Sequence, residues 1–488
     1  MKVSIKAGNI FAEKADAVAI PIFQGEKIEN ILRGAKPILI SHANELAKDS
    51  GFDGKEDKTL LIQTYGHIPA KTILLMGLGE KKSFKDESLR IASAIAVIKA
   101  KDLRADKIAM PAVNASIQTE GALLADYTFH PYKTREKKEL LKKNIEELIF
   151  VCKQNEKAKT KKDIELGTVM ASGANFARDL VNEPAAVVTP KYLADTARKI
   201  ADASKDISIE IFDKAQCEKL GMGAFLAVAK GTDDPPYFIH LTYKGGTKKI
   251  AIIGKGITFD TGGLALKSDR GMAEMKCDMA GAAAVLGIFS QIAQLKPKAE
   301  VHGIIAACEN MPGPRAMKFG DIIQAMDGTT IEITHPDAEG RLTLADAVLF
   351  ARKLKPDYII DLATLTGACL VALGQDIAGL FANSEDLVKM LNDAAEDAGE
   401  KVWRLPLEDS YKDLLKSKIA DLRNDAAKEG AGAITAALFI AEFVGKTEWA
   451  HMDIAGPAFA EKFSTPYIPS GGSGYSVRMI MRLLMGMK

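Results

Sequence analysis

Residues 249–267 read KIAIIGKGITFDTGGLALK, and the reading of this stretch decides the fold. KIAIIG, 249–254, is a short continuous apolar run of the length expected for a buried strand. A glycine-rich segment follows it and carries Lys255, Asp260 and Lys267. The same kind of apolar run recurs downstream as EVHGIIAAC (300–308), DYIIDLA (357–363) and EWAHMDIA (448–455). Segments with helical spacing alternate with these runs: MAGAAAVLGIFSQIAQL (279–295), RLTLADAVLFARKL (341–354) and GAITAALFIAEFVG (432–445). Such alternation predicts an α/β domain with a mostly parallel central sheet and helices on both faces. In that architecture ligands gather beyond the carboxyl ends of the strands.

Upstream, ADAVAIPIF (15–23), KTILLMGLG (71–79) and ELIFVCK (147–153) are of strand length, and SLRIASAIAVIKAKD (88–102) has helical spacing. These predict a small N-terminal α/β domain over 1–160. LGTVMASGANFARDLVN (166–182) predicts a linker helix, placed at 161–182, which the prolines of NEPAAVVTP stop. The larger C-terminal catalytic domain, 183–488, then carries the active site.

The bulk numbers exclude several classes. Apolar residues make up 47% of the 488 and charged residues 26%, as in ordinary globular proteins. Lys plus Arg is 65 against 64 for Asp plus Glu, so no overall charge pulls the chain toward nucleic acid or anionic membrane. The lysine-rich region 132–165 reads as a solvated helix face and a linker, because Glu136 and Glu139 interrupt its positive field. The five cysteines are scattered, without a C-x-x-C pair, so a disulfide framework is not expected and a reducing, cytoplasmic setting is. No apolar run reads as a membrane span, and the alternating N-terminus lacks the continuous apolar region of a signal peptide.

Charge collects after the strand candidates. Besides Lys255, Asp260 and Lys267 there are Asp278 in CDMAGAAA, Glu309 and Asn310 after EVHGIIAAC, and Asp337, Glu339 and Arg341 in THPDAEGRLTLADA (334–347). Any single carboxylate at such a place is more often a helix cap than a ligand. Several together repel one another and raise each other's pKa unless cations hold them. A pair of divalent ions supplies that charge, and the residue types point to a dinuclear carboxylate site for magnesium, manganese or zinc. The glycines match neither the phosphate loop nor the dinucleotide fingerprint, so they read as places where backbone passes close to a crowded centre.

The motifs RDLVNEPA, GKGITFDTGGLALK, CDMAGAAAV, ENMPG, DAEGRLTLADA, DLATLTGA, GLFAN, WRLPL, GAITAALF and WAHMDIAG follow one another over roughly residues 170 to 460. In kind and order they resemble the leucine aminopeptidase, or cytosol aminopeptidase, family. The resemblance implies a metallo-exopeptidase with two adjacent divalent ions per subunit, zinc or manganese, in a cytoplasmic homohexamer acting on peptides. It implies that Asp260 and Glu339 bridge the ions, that Asp337 completes one site with its side chain and its backbone carbonyl, and that Lys255 and Asp278 complete the other. A neutral lysine ligand is costly: deprotonating an ordinary lysine at pH 7 takes about 4.6 kcal/mol, which neighbouring metal ions offset. The resemblance further implies that Lys267 stabilises the oxyanion. It implies a bicarbonate ion, held by Arg341 and the backbone near Leu365, as the base. Met275, Thr364, Gly367 and Ala458 would line an apolar pocket for a Leu- or Met-like first residue.

The chain departs from the family string Asn-Thr-Asp-Ala-Glu-Gly-Arg, with His335 and Pro336 in the first two places. DTGG stands for the usual DSGG, and Phe319 stands where proline is common. None of these removes a proposed ligand. His335 is expected to read the leaving residue of the substrate without touching metal, and the other histidines are expected to be structural. Two alternatives use the same features: a dinuclear metal phosphoesterase, and a DNA-binding role alongside peptidase activity that would rest on 132–165.

Overall fold

The computed structural model describes residues 1–135, 144–426 and 430–487. Most of the lysine-rich helix face expected from residue 132, with Glu136 and Glu139, lies outside the described residues. The chain forms two compact units, Met1–Ser172 with Ser464–Pro469, and Gly173–Phe463 with Ser470–Lys488. A 26-residue helix, Lys157–Asn182, contributes to both.

The first unit holds a six-stranded sheet in the order Lys2–Ala7, Glu147–Cys152, Lys107–Pro111, Ala17–Ile22, Thr72–Gly77, Thr59–Gln63. Its pairs are parallel except the last, which is antiparallel. The strands Ala17–Ile22 and Thr72–Gly77 are buried along their whole length. That is why they read as continuous apolar runs without alternation.

The second unit holds an eight-stranded sheet ordered Lys401–Arg404, Ile377–Ala382, Glu448–Asp453, Tyr358–Ala363, Lys249–Asp260, Glu300–Asn310, Tyr237–Lys244, Ile207–Phe212. Its centre is parallel: Lys249–Asp260 lies between Glu300–Asn310 and Tyr358–Ala363, and Glu448–Asp453 pairs beyond. Antiparallel pairings bring in Ile377–Ala382 on one side and Tyr237–Lys244 with Ile207–Phe212 on the other.

The strand expected at 249–254 runs on through Asp260. Lys255, expected after the strand, therefore sits in its middle. The strand Glu300–Asn310 pairs with it as far as Asp260, which keeps it extended past its glycines, whereas the pairing with Tyr358–Ala363 ends at Gly254. The helix Ala280–Leu295 packs on the sheet with most of its residues buried. Contrary to the sequence reading, one stretch, Asp269–Leu295, does have the length and hydropathy of a membrane span among the described residues. Its most apolar window is 72% buried inside the fold, so it serves as core.

Candidate metal centre

The carboxyl ends of the central strands open into a cleft of about 750 Å³. Lys255, Asp260, Lys267, Met275, Asp278, His335, Asp337, Glu339, Arg341, Thr364, Leu365 and Gly367 all line it. Ala458 is buried and is not among the lining residues; Ala455 and Phe459 from the same segment are.

Local structure explains how the charged groups meet. The register of Glu300–Asn310 against Lys249–Asp260 breaks between Cys308 and Asn310, which sets Asn310 opposite Asp260. Asn310 Nδ2 then donates to Asp260 Oδ1 at 2.9 Å and to the Pro336 carbonyl at 3.2 Å. Asp260 Oδ1 also accepts from the Gly262 N–H at 2.8 Å. Gly262 has φ +84°, and a Cβ there would lie 2.8 Å from Asp337 Oδ1. Glu339 occupies the N-cap of the helix Gly340–Lys353 but makes no capping bond. Its carboxylate turns instead to Lys255 Nζ, 2.9 Å away. Gly340 permits this approach, since a Cβ would fall 2.6 Å from Lys255 Cε and 2.7 Å from Nζ.

Lys255 Nζ lies 2.8 Å from Asp278 Oδ1 and donates to the Thr364 carbonyl at 3.0 Å. The Thr364 hydroxyl donates to Asp278 Oδ1 at 2.8 Å. Lys267 Nζ lies 2.8 Å from Asp260 Oδ2 and 2.5 Å from Asp337 Oδ1. Glu309, grouped with these residues by sequence, does not line the cleft; its carboxylate accepts from the Thr232 hydroxyl at 2.7 Å. Glu309 is the residue skipped where the strand register breaks, which turns it away from the partners of its neighbour Asn310.

Electrostatics follow from burial. Desolvation raises the Asp278 carboxyl well above its usual range, and Glu339 and Asp260 add to the rise while Lys255 opposes it. Desolvation and the Asp260 charge likewise raise Glu339 and Asp337. Burial works against the Lys255 and Lys267 ammoniums, but the surrounding carboxylates outweigh it and hold both above the ordinary lysine range. Arg341 is buried, and desolvation lowers its pKa from a value so high that it stays charged.

The donor set fits divalent cations. Asp260, Asp337 and Glu339 each offer an oxygen within 4.8 Å of the others, and Asp278 Oδ2 is buried without a hydrogen-bond partner. Four carboxylates face two ammoniums, and the excess of buried negative charge favours bound cations, or protons in their place. His335 is not in that oxygen cluster; its ring stands edge-on to Phe319, centroids 6.0 Å apart. Arg341 Nη1 donates to the Asn424 carbonyl at 2.8 Å, and among the described residues its buried Nε has no hydrogen-bond partner, which fits a small bound anion. The Leu365 N–H donates to Asp453 Oδ1 at 3.2 Å. Sequence reasoning missed Asn424, Asp425 and Asp453. They lie far along the chain from the carboxylates, and only the fold brings them to the cleft, where Asp425 Oδ1 stands 3.7 Å from Arg341 Nη1.

Fold and site together define a carboxylate-rich α/β protein built to hold divalent cations at the ends of its central strands. Residues 175–481 match the model of the cytosol aminopeptidase family catalytic domain, and residues 19–136 match that family's N-terminal domain. A probable cytosol aminopeptidase of Alkaliphilus oremlandii is 44% identical, covering 100% of both chains. One from a Geobacter species is 40% identical over 99% of each. Among solved structures, a mutant of tomato leucine aminopeptidase is 35% identical with a TM-score of 0.87, covering 99% of this chain and 96% of that one. The bottromycin maturation enzyme BotP in complex with Mn is 31% identical with a TM-score of 0.85, covering 96% and 99%. The chain belongs to the cytosol aminopeptidase family and is a metal-dependent aminopeptidase, a hydrolase.

Proposed function

We propose that the chain releases the N-terminal residue of peptides at a dinuclear centre held by Lys255, Asp260, Asp278, Asp337 and Glu339. The observation that carries this reading is the buried convergence of four carboxylates and two lysines at 2.5–2.9 Å in one cleft. Asp260 and Glu339 would be the shared ligands; Asp337 would complete one position, and Lys255 with Asp278 the other. Zinc or manganese ions bound there would acidify a water and polarise the scissile carbonyl.

The chain's own residues do the rest. Lys267 reaches into the cleft as a charged donor and stabilises the oxyanion that develops on the attacked carbonyl. Arg341 cannot accept a proton. It would instead hold a bicarbonate base, close to Leu365, through its Nε–H, which has no partner among the described residues. Met275, Thr364 and Gly367 line the cleft, with Ala458 in the segment behind, and their small or apolar side chains suit Leu or Met as the released residue. The working division of the chain is 1–160, the helical 161–182, and the catalytic 183–488. A cytoplasmic homohexamer acting on peptides, without nucleic acid or membrane as partner, completes the proposal. Sedimentation as an active monomer would refute the assembly.

The direct test removes metal with a chelator and restores zinc or manganese separately. Hydrolysis of leucine anilide should vanish and return, while a phosphate ester should stay untouched throughout. Phosphate release equal to anilide cleavage would overturn the reading.

His335 gives a second test. Its ring lines the cleft beside Asp337 without joining the oxygen cluster. His335→Asn should leave metal content and leucine-anilide turnover unchanged, because that substrate places no amino acid on the leaving side. The ranking of Leu-X dipeptides should change as X varies. Loss of one metal equivalent would make His335 a ligand and sink this role.

A further inference from the structure

We infer that Asn424 is a positioning residue that presents Asp337 to metal. This deepens the proposed function and rests on Asp337 being a ligand. Asn424 is fully buried, immediately after the short strand Leu422–Arg423 that pairs with Thr330–Glu332. Its side chain spans the segment leading to the helix Gly340–Lys353. Oδ1 accepts from the Thr334 N–H at 2.8 Å, the Thr334 hydroxyl at 3.2 Å and the His335 N–H at 3.1 Å. Nδ2 donates to the His335 carbonyl at 2.8 Å and the Ala338 carbonyl at 3.3 Å. One amide thus meets its full hydrogen-bonding capacity on a single five-residue segment.

The pattern of what is bonded and what is left matters most. Pro336 has no N–H to donate, so the segment cannot hold itself by a regular ladder. The His335 and Ala338 carbonyls are taken by Asn424, and the Pro336 carbonyl by Asn310. Between them the Asp337 carbonyl has no hydrogen-bond partner among the described residues. Asn424 therefore holds the chain before and after Asp337, at the His335 and Ala338 carbonyls, and leaves the Asp337 carbonyl and carboxylate for the cleft. The backbone carbonyl of Asn424 also anchors Arg341, so one residue ties a ligand to the anion-holding guanidinium. Partners that orient metal ligands in this way carry much of a site's affinity.

The test measures manganese binding by calorimetry on the metal-free full chain, with Asn424→Ala beside the parent. One of the two binding steps should weaken by roughly 10- to 100-fold, the range typical for loss of such a partner. The other step should stay within about twofold, because among the described residues Asn424 hydrogen-bonds to neither Lys255 nor Asp278, and such contacts set affinity locally. Should the alanine variant fail to fold, Asn424→Ser, which keeps one acceptor and loses the amide donors, is read in the same way. A folded variant with both steps unchanged, or both weakened equally, would overturn the inference while leaving the proposed function intact. A parent that binds no divalent metal would overturn both.

Discussion

Asp260→Ala is expected to bind less than one metal ion per chain and to show no measurable leucine-anilide hydrolysis. Asp260 lines the cleft, and its carboxylate lies within 4.8 Å of both Asp337 and Glu339 oxygens. If it is shared between the two positions, its loss weakens both at once, whereas loss of Asp337 or Asp278 would empty one. The substitution also leaves the Gly262 N–H without its acceptor and takes one of two acceptors from Asn310 Nδ2. An unmet buried donor costs about 1–3 kcal/mol, so some loss of metal-free stability should accompany the loss of metal. Relief of repulsion among the remaining carboxylates acts in the opposite direction. Metal analysis by mass spectrometry therefore decides the question better than thermal melting. A variant retaining two ions per chain would remove Asp260 from the ligand set.

Lys267→Ala should separate chemistry from metal binding. Its ammonium stands 2.8 Å from Asp260 and 2.5 Å from Asp337, where it competes with metal for the same oxygens. Deleting a cation from this place cannot reduce the attraction for further cations, so metal content should hold at the parent level. Catalysis should fall by about 2.7–4 kcal/mol, or roughly 10²–10³ in kcat, the usual cost of removing one oxyanion donor. A donor that acts only in the transition state affects kcat and kcat/KM equally. Unchanged kcat, or a change confined to KM, would rule out this role.

The candidate site was legible in the sequence to an unusual depth because its residues travel in short motifs. THPDAEGRLTLADA carries Asp337, Glu339 and Arg341 within five residues, and the structure gathers all three at one cleft. Capping was the competing explanation for Glu339. The structure removes it by placing Glu339 at a helix N-cap with its side chain turned to Lys255. Glu309 was misgrouped because adjacency in sequence does not show that the strand register breaks there and sends its carboxylate to Thr232.

By itself the sequence determined the α/β class, the succession of buried strands and amphipathic helices, and the charged motifs. All of these are local properties, written in periodicity and residue type. Tertiary structure alone decided that Lys249–Asp260 lies between Glu300–Asn310 and Tyr358–Ala363, and so which strand ends share a cleft. It decided that Lys255 would stand mid-strand against Gly340, and that Thr364 would fix both Lys255 and Asp278. It also brought Asn424 to the segment around Asp337, across more than eighty residues of chain. These outcomes depend on strand order and register, which arise from burying many apolar surfaces at once. No short window of sequence contains that information.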